Sequence, residues 1–398
     1  MRTIYRTKAI RLDSGERFPI LVDRQTELPV LDVIDFSLSY HRAISINSGK
    51  GRVAAIGLFL EWADSCLIDV DERFGSGELF SQSEIESLAT ILGQSKRKKV
   101  HVDGHELPAN VLGDTQANRV DWVADYIRWR CTGVTQRMKI DDPRLLPIDQ
   151  RLRQIDDQLK ELKQKGAGKV RLGLTEKQQA RLFEIVRPDS PENPFKPQTR
   201  YRNFMLFLLY YELGIRRAEA LVLKANQVHV QQKPRVIIEP NPDDPTDPRK
   251  DAPLVKTAGR ILPISALLAQ TIHTYITEHR SKVPGAKKSP FIILDSRTGQ
   301  PLSLSSVYDM FVVVRERFPD DFPSDFTTHV LRHTWNDRFM ERAREARLKD
   351  ALARQVNNYI MGWSKTSQQS VKYSNREIER QASQLLMSMH TNLSEFVA

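Results

Sequence analysis

Thr327-Thr328-His329-Val330-Leu331-Arg332-His333-Thr334-Trp335 is the stretch on which the reading of this chain turns. Its two threonines offer N-cap oxygens ahead of a helical pattern. On that helix His329, Arg332 and His333 stand three and four residues apart and share a face. Leu331, Trp335 and Phe339 recur every four residues on another face, which reads as the core contact. Imidazole and guanidinium groups pointing away from a core suit an anionic centre such as a phosphate. A solvated basic face is the plainer reading of the same residues, and this helix alone does not choose between the two.

Residues upstream narrow the choice. Residues 201–213 are almost wholly apolar and read as a buried central helix, with Gly214 as its natural C′ residue. Arg216 and Arg217 follow at once, a basic pair held at the end of a buried element. Glu219, three residues after Arg216, is spaced to orient it; a surface salt bridge worth little is the alternative. Val228-His229-Val230, Arg235-Val236-Ile237-Ile238 and Arg260-Ile261-Leu262-Pro263-Ile264 carry strand signals, as does 291–294. Lys256 lies in the turn before Arg260, either as a solvated tip or as a mobile proton donor, since an ammonium gives up a proton where a guanidinium does not.

Downstream, the opening helix is expected to run to about residue 348 and the next to end at Gly362. Trp363 follows, with an indole that donates a hydrogen bond without titrating. Tyr373, taken by itself, reads as a packing residue. Ile378, Ala382, Leu385, Leu386, Met389 and Leu393 stripe a closing helix.

The N-terminal third is a different body. Residues 1–27 read as an arm or small hairpin around Asp13-Ser14-Gly15. Residues 28–133 read as a helical bundle, striped by Val30, Val33, Ile34 and Leu38, then by Val53, Ile56, Leu60 and Ala63, then by Val120, Val123, Ala124, Ile127 and Cys131. Ser81 and Glu84 have capping-box spacing, as do Thr175 and Gln178. Between helices lies Lys96-Arg97-Lys98-Lys99, either a solvated loop or a patch that touches phosphates. Arg42, Lys50 and Arg52, near the junction of the first two helices, extend that patch. Residues 134–173 read as a linker with a charged helix and a break at Gly166-Ala167-Gly168-Lys169.

Composition bounds the partners. The chain has 398 residues and a formal net charge of +10, which points to nucleic acid or an acidic membrane surface. No apolar run approaches the ~20 residues of a membrane span. The first residues lack the apolar core of a signal peptide, so a cytoplasmic chain without membrane contact is expected. Cys66 and Cys131 have no paired spacing, so neither a disulfide framework nor a zinc site is expected.

These pieces, in this order, resemble the tyrosine recombinases (the phage integrase family). Gly214-Ile215-Arg216-Arg217-Ala218-Glu219 is similar to the box with the family's first arginine, His329-Val330-Leu331-Arg332-His333-Thr334 to its His-x-x-Arg box, and Met361-Gly362-Trp363-Ser364 to a segment that usually reads Leu-Gly-His, with Trp363 in place of the more common histidine. The motif match spans residues ~174–390; the N-terminal bundle resembles the core-binding domain only in helical pattern and charge. The resemblance implies a mainly α fold with a small antiparallel β-sheet in the C-terminal domain. It implies a two-domain DNA clamp, with a core-binding domain at 28–133 and an α+β catalytic domain at 174–398. It implies catalytic roles for Arg216, Lys256, His329, Arg332, Trp363 and Tyr373, with Glu219 and His333 in support. The implied reaction is site-specific recombination of double-stranded DNA through a 3′-phosphotyrosine and a Holliday junction. It needs no metal and no cofactor. A homotetramer on two sites is implied, joined through the closing helix and assisted by directionality factors, on the bacterial nucleoid. A type IB topoisomerase-like relaxing enzyme and a non-catalytic DNA-binding derivative are the alternatives.

Overall fold

The chain folds into two compact units, Met1–Gly168 and Lys169–Ala398. The computed structural model describes residues 4–40, 44–102, 105–164, 166, 171–255, 257–364 and 367, with the backbone alone at 96–102 and 105–108.

The first unit opens with an antiparallel hairpin of β1 (Tyr5–Arg11) and β2 (Arg17–Asp23). Its start is tied down by the buried Glu61 carboxylate, which accepts the Ile4 and Tyr5 amides at 3.0 and 3.1 Å. Five helices follow: α1 (Leu31–Tyr40), α2 (Ile46–Ser65), α3 (Val70–Ser76), α4 (Gln82–Leu92) and α5 (Gly113–Thr135). The helix α2 is buried nearly all round and forms the axis of the bundle. Phe36, Phe59, Trp62, Phe74, Phe80 and Tyr126 pack edge-on in its core. The capping box expected at Ser81 forms in both directions.

Two features of this unit depart from the sequence reading. The basic run 96–99 is not a plain loop: it lies in an antiparallel ribbon of β3 (Gln94–Val102) and β4 (His105–Asn110), inserted between α4 and α5. Asp103-Gly104, a strong hairpin dipeptide beside the β-branched Val100 and Val102, is the signal for it. Residues 95–98 face only Ala109 across the ribbon, because Gln94 pairs with Asn110 and Lys99 with Pro108. The stretch read as a linker holds the expected charged helix, α6 (Leu145–Glu161), but that helix packs on α4 and α5. Ile148, Ile155 and Leu159 are buried on one face, and the buried Gln116 amide clasps the Leu162 carbonyl and the Gln164 amide.

The second unit is built around the apolar α8 (Pro197–Leu213), preceded by α7 (Glu176–Val186) and followed by the short α9 (Arg217–Leu221). The Thr175–Gln178 capping box opens α7 as expected. A three-stranded antiparallel meander, β5 (Val228–His229), β6 (Arg235–Ile238) and β7 (Arg260–Pro263), has β6 in the middle. Then come α10 (Ala266–Thr274), α11 (Leu304–Arg317), α12 (Thr328–Glu345) and α13 (Asp350–Met361). Residues 291–294, read as a strand, make only isolated bridges from Phe291 to Lys224 and from Leu294 to Pro301. The helix α12 ends at Glu345, short of residue 348, and its N-cap Thr327 makes no side-chain cap bond.

Candidate active site

The apolar α8 must stop where its last turn meets α12, and Gly214 stops it in a left-handed conformation, φ 59°. A Cβ at this position would sit 2.7 Å from Trp335 Cγ, so the turn and the packing both require glycine. The chain leaves this turn through the buried Ile215 into Arg216, the N-cap residue of α9. Packing of α12 on α8 brings Arg332 beneath the same turn, where it is 2% exposed.

Two guanidiniums converge there. Arg332 Nη1 donates to the Gly214 carbonyl at 2.6 Å and Nη2 to the Met361 carbonyl at 3.2 Å. Arg216 Nη1 donates to the same Met361 oxygen at 3.0 Å. A single acceptor at the end of α13 therefore holds both arginines, and their donor nitrogens lie no more than about 6 Å apart. Arg332 also stacks over the Trp363 ring, 5.1 Å from its centroid. The Trp363 amide donates to Asn358 O at 2.8 Å, one of the bonds that close α13 at Gly362.

Glu219 is the hub beneath the arginines. Its side chain is 1% exposed, and it accepts the Arg216 amide at 2.8 Å, the Thr257 hydroxyl at 2.7 Å and Arg260 Nη2 at 2.9 Å. Burial works against its ionisation, but the Arg260 charge and hydrogen bond, the Arg216 amide and the Thr257 hydroxyl outweigh it. The carboxyl is held below the ordinary carboxylate range. The surface salt-bridge alternative therefore does not describe this residue.

His329 stays exposed to solvent, although its neighbours displace much of its hydration. That desolvation, and then the charges of Arg171, Arg332, Arg217 and Arg216, hold the imidazole below the usual histidine range. His333 is 8% exposed and so belongs to the packed side of α12 rather than to an open face. Tyr359 is exposed, and its hydroxyl lies 3.4 Å from the Ile261 amide on the β7 edge. Lys256 and Tyr373 lie outside the described residues, as does Arg42.

The first unit carries the remaining basic candidates. Lys96, Arg97, Lys98 and Lys99 are on β3. Lys50 is half-buried on α2. Arg52 is turned against α5, 3.7 Å from Asp125, with its side chain 15% exposed, so its charge is largely satisfied within the bundle. Among the described residues no three His, Cys, Asp or Glu side chains gather as metal ligands, and no helix is long and apolar enough to cross a membrane.

Sequence reasoning did not single out Arg260, Thr257 or the Met361 carbonyl. Arg260 had a signal: burial alternates along β7, so an arginine two residues before Leu262 shares its inward face. A main-chain carbonyl has none.

The phage integrase family matches residues 173–375, just over half of the chain, and the protein belongs to that family. Among solved structures, a Tn1549 transposon integrase in complex with transposon right end DNA is similar over 88% of this chain and 98% of that one, at 14% identity and a TM-score of 0.56. XerH site-specific recombinase bound to a palindromic difH substrate matches over 84% and 78%, at 14% identity and a TM-score of 0.54. At such identity the likeness is one of fold. No curated protein matches the sequence.

Proposed function

We propose that this chain is a site-specific DNA recombinase that cuts and rejoins strands through a 3′-phosphotyrosine. The observation that carries the reading is the convergence of Arg216 and Arg332 on one oxygen above the buried Glu219. A phosphodiester repels nucleophiles, and charge grows on its non-bridging oxygens as it is attacked. Those anionic oxygens outbid a neutral carbonyl for the same guanidinium donors, because the bond then joins two opposite charges rather than a charge and a dipole. Arg216 and Arg332 would clamp them, with the Trp363 indole as a further donor. Tyr373 would attack phosphorus and store the bond as an ester. A tyrosine of pKa ~10 needs a proton acceptor, and a neutral His329 supplies one at physiological pH. Lys256 would protonate the departing 5′ oxygen. Attack by a second strand's 5′-hydroxyl reverses the step and exchanges strands through a Holliday junction.

The domain boundaries follow the same reading: an arm at 1–27, a DNA-holding bundle at 28–133, a connecting segment at 134–173 whose α6 packs on that bundle, and the catalytic domain at 174–398. The DNA complexes of the Tn1549 integrase and XerH support duplex DNA as the partner. Assembly would be a homotetramer. Beside α12 lies a groove of about 820 Å³ whose lining mixes Phe183, Tyr211, Trp335 and Phe339 with charged residues such as Asp337 and Arg338. It suits the apolar stripe 378–393 of a second copy. Directionality factors would act on this assembly, and the bacterial nucleoid is where it would work.

The test is a suicide substrate made from the DNA that flanks this chain's own gene. Wild type should form a covalent protein–DNA adduct, and Tyr373→Phe should form none while keeping its affinity for DNA. An undiminished adduct with Tyr373→Phe refutes the reading.

A further inference from the structure

Arg260 shares the Glu219 carboxylate with Arg216 and is among the most heavily bonded arginines of the second unit. Its side chain is 1% exposed. Nη2 donates to Glu219 Oε2 at 2.9 Å, Nε to Ile360 O at 2.6 Å, and Nη1 to Thr257 Oγ1 at 3.3 Å and Ala258 O at 3.4 Å. These partners belong to three segments: α9, the turn before β7, and the end of α13. A guanidinium is costly to bury, and only this many partners in good geometry offset the cost.

The turn is held on both sides of position 256. Before it, Val255 is buried and its amide donates to Asn241 Oδ1 at 2.7 Å. After it, the Thr257 hydroxyl donates to Glu219 Oε1 at 2.7 Å. Glu219 in turn accepts the amide of Arg216, and Arg260 reaches Ile360, whose neighbour Met361 holds both clamp arginines. One buried side chain therefore links the residues that follow Lys256 to the clamp.

We propose that Arg260 is a positioning residue that registers the Lys256 segment against the Arg216–Arg332 clamp, so that the proton donor meets the leaving oxygen. The proposal rests on the phosphotyrosine reading. In that step the Tyr373 Oη–P bond forms, the P–O5′ bond breaks, and the Lys256 ammonium gives its proton to O5′. A misplaced donor leaves an alkoxide with no proton. A misplaced clamp leaves charge on the non-bridging oxygens unopposed. A 5′-bridging phosphorothiolate separates the two failures, because its P–S bond breaks to a thiolate that needs no proton.

The experiment uses the full chain and duplexes made from DNA flanking its gene, with oxygen or sulfur at the scissile 5′ position. Arg260→Met should cleave the oxygen substrate about 100-fold more slowly than wild type, the contribution expected of a general acid. Sulfur should restore it to within about 3-fold of wild type on the same duplex. Thr257→Val, which removes only a hydroxyl, should show a smaller loss with the same recovery. Arg332→Ala, a clamp loss, should not recover. Equal slowness of Arg260→Met on oxygen and sulfur overturns the assignment. So does full speed on oxygen. If Arg260→Met does not fold, Thr257→Val decides, and a loss that sulfur leaves unchanged overturns the proposal. Wild-type adducts without recovery in the variants refute Arg260 alone, whereas no wild-type adduct on either duplex refutes the phosphotyrosine reading itself.

Discussion

Glu219→Gln is the substitution that best weighs the buried hub against an ordinary ion pair. The change is isosteric and removes the charge. With its remaining oxygen at the Oε2 position, the amide still accepts from the Arg216 amide and from Arg260 Nη2, and the Thr257 hydroxyl turns to accept from the new NH2. What is lost is charge assistance on these bonds, the 3.5 Å pairing of Arg216 Nη1 with Oε1, and compensation of the Arg260 guanidinium, which stays buried. An exposed pair would register about 0–1 kcal/mol. Breaking a buried pair costs about 3–5 kcal/mol, and the retained hydrogen bonds place Glu219→Gln near the lower end, about 3 kcal/mol. For a unit of this size that is a fall in Tm of roughly 6–12 °C, read by calorimetry of the full chain in the transition of the second unit. Adding Arg260→Met should cost less than the two single changes together. The pH dependence has a fixed sign. The Glu219 carboxyl is depressed below its unfolded value of 4.5, so its contribution is complete above that value and lost as pH falls through the lower folded one. The gap between wild type and variant should be flat from about pH 5 to 8 and close below about pH 4. A fall of under about 2 °C at pH 7, or a gap that narrows between pH 8 and 5, would return the pair to the rank of a surface ion pair.

Adduct formation at subsaturating DNA should lose rate as pH falls through a half-point below 6.5, because the free enzyme's His329 titrates below its usual value; a half-point above 7 would argue against His329 as proton acceptor. Alanine at Lys96, Arg97, Lys98 and Lys99 should lower the slope of log affinity against log salt by about 0.9 for each phosphate that is no longer neutralised, and an unchanged slope would remove the β3–β4 ribbon from the interface. Deleting residues 376–398 should abolish assembly on paired sites in gel-shift assays while leaving single-site binding intact; normal assembly of the truncated chain would sink the closing-helix proposal.

How much of this was legible depends on whether a residue's role is written in its own side chain. The His329–Arg332 spacing, the Gly214 stop and the Glu219 offset are local patterns, and the structure brings all of them to one place. The ribbon β3–β4 was missed because four consecutive cations dominated the reading of a segment that also held Asp103-Gly104. The helix α6 was expected, but its packing on the bundle was not, for a related reason: Ile148, Leu152, Ile155 and Leu159 keep helical spacing, while charged neighbours dilute the stripe.

The site's centre is a different case, because its organising atom is the Met361 carbonyl oxygen, which any residue would present. What the sequence does specify is the glycine after it. Gly362 adopts φ 64°, which reverses the chain so that α13 ends under both arginines. A Cβ there would lie 2.6 Å from Arg260 Nη1 and 2.9 Å from Thr257 Cβ. The residue is therefore held to glycine twice, once by backbone conformation and once by the seat of a buried guanidinium. The same absent side chain lets the helix end where the clamp needs an acceptor and lets Arg260 reach Ile360 and Glu219. That coupling is why a glycine read from sequence as a helix stop turns out to set the spacing between the clamp and the turn that precedes β7.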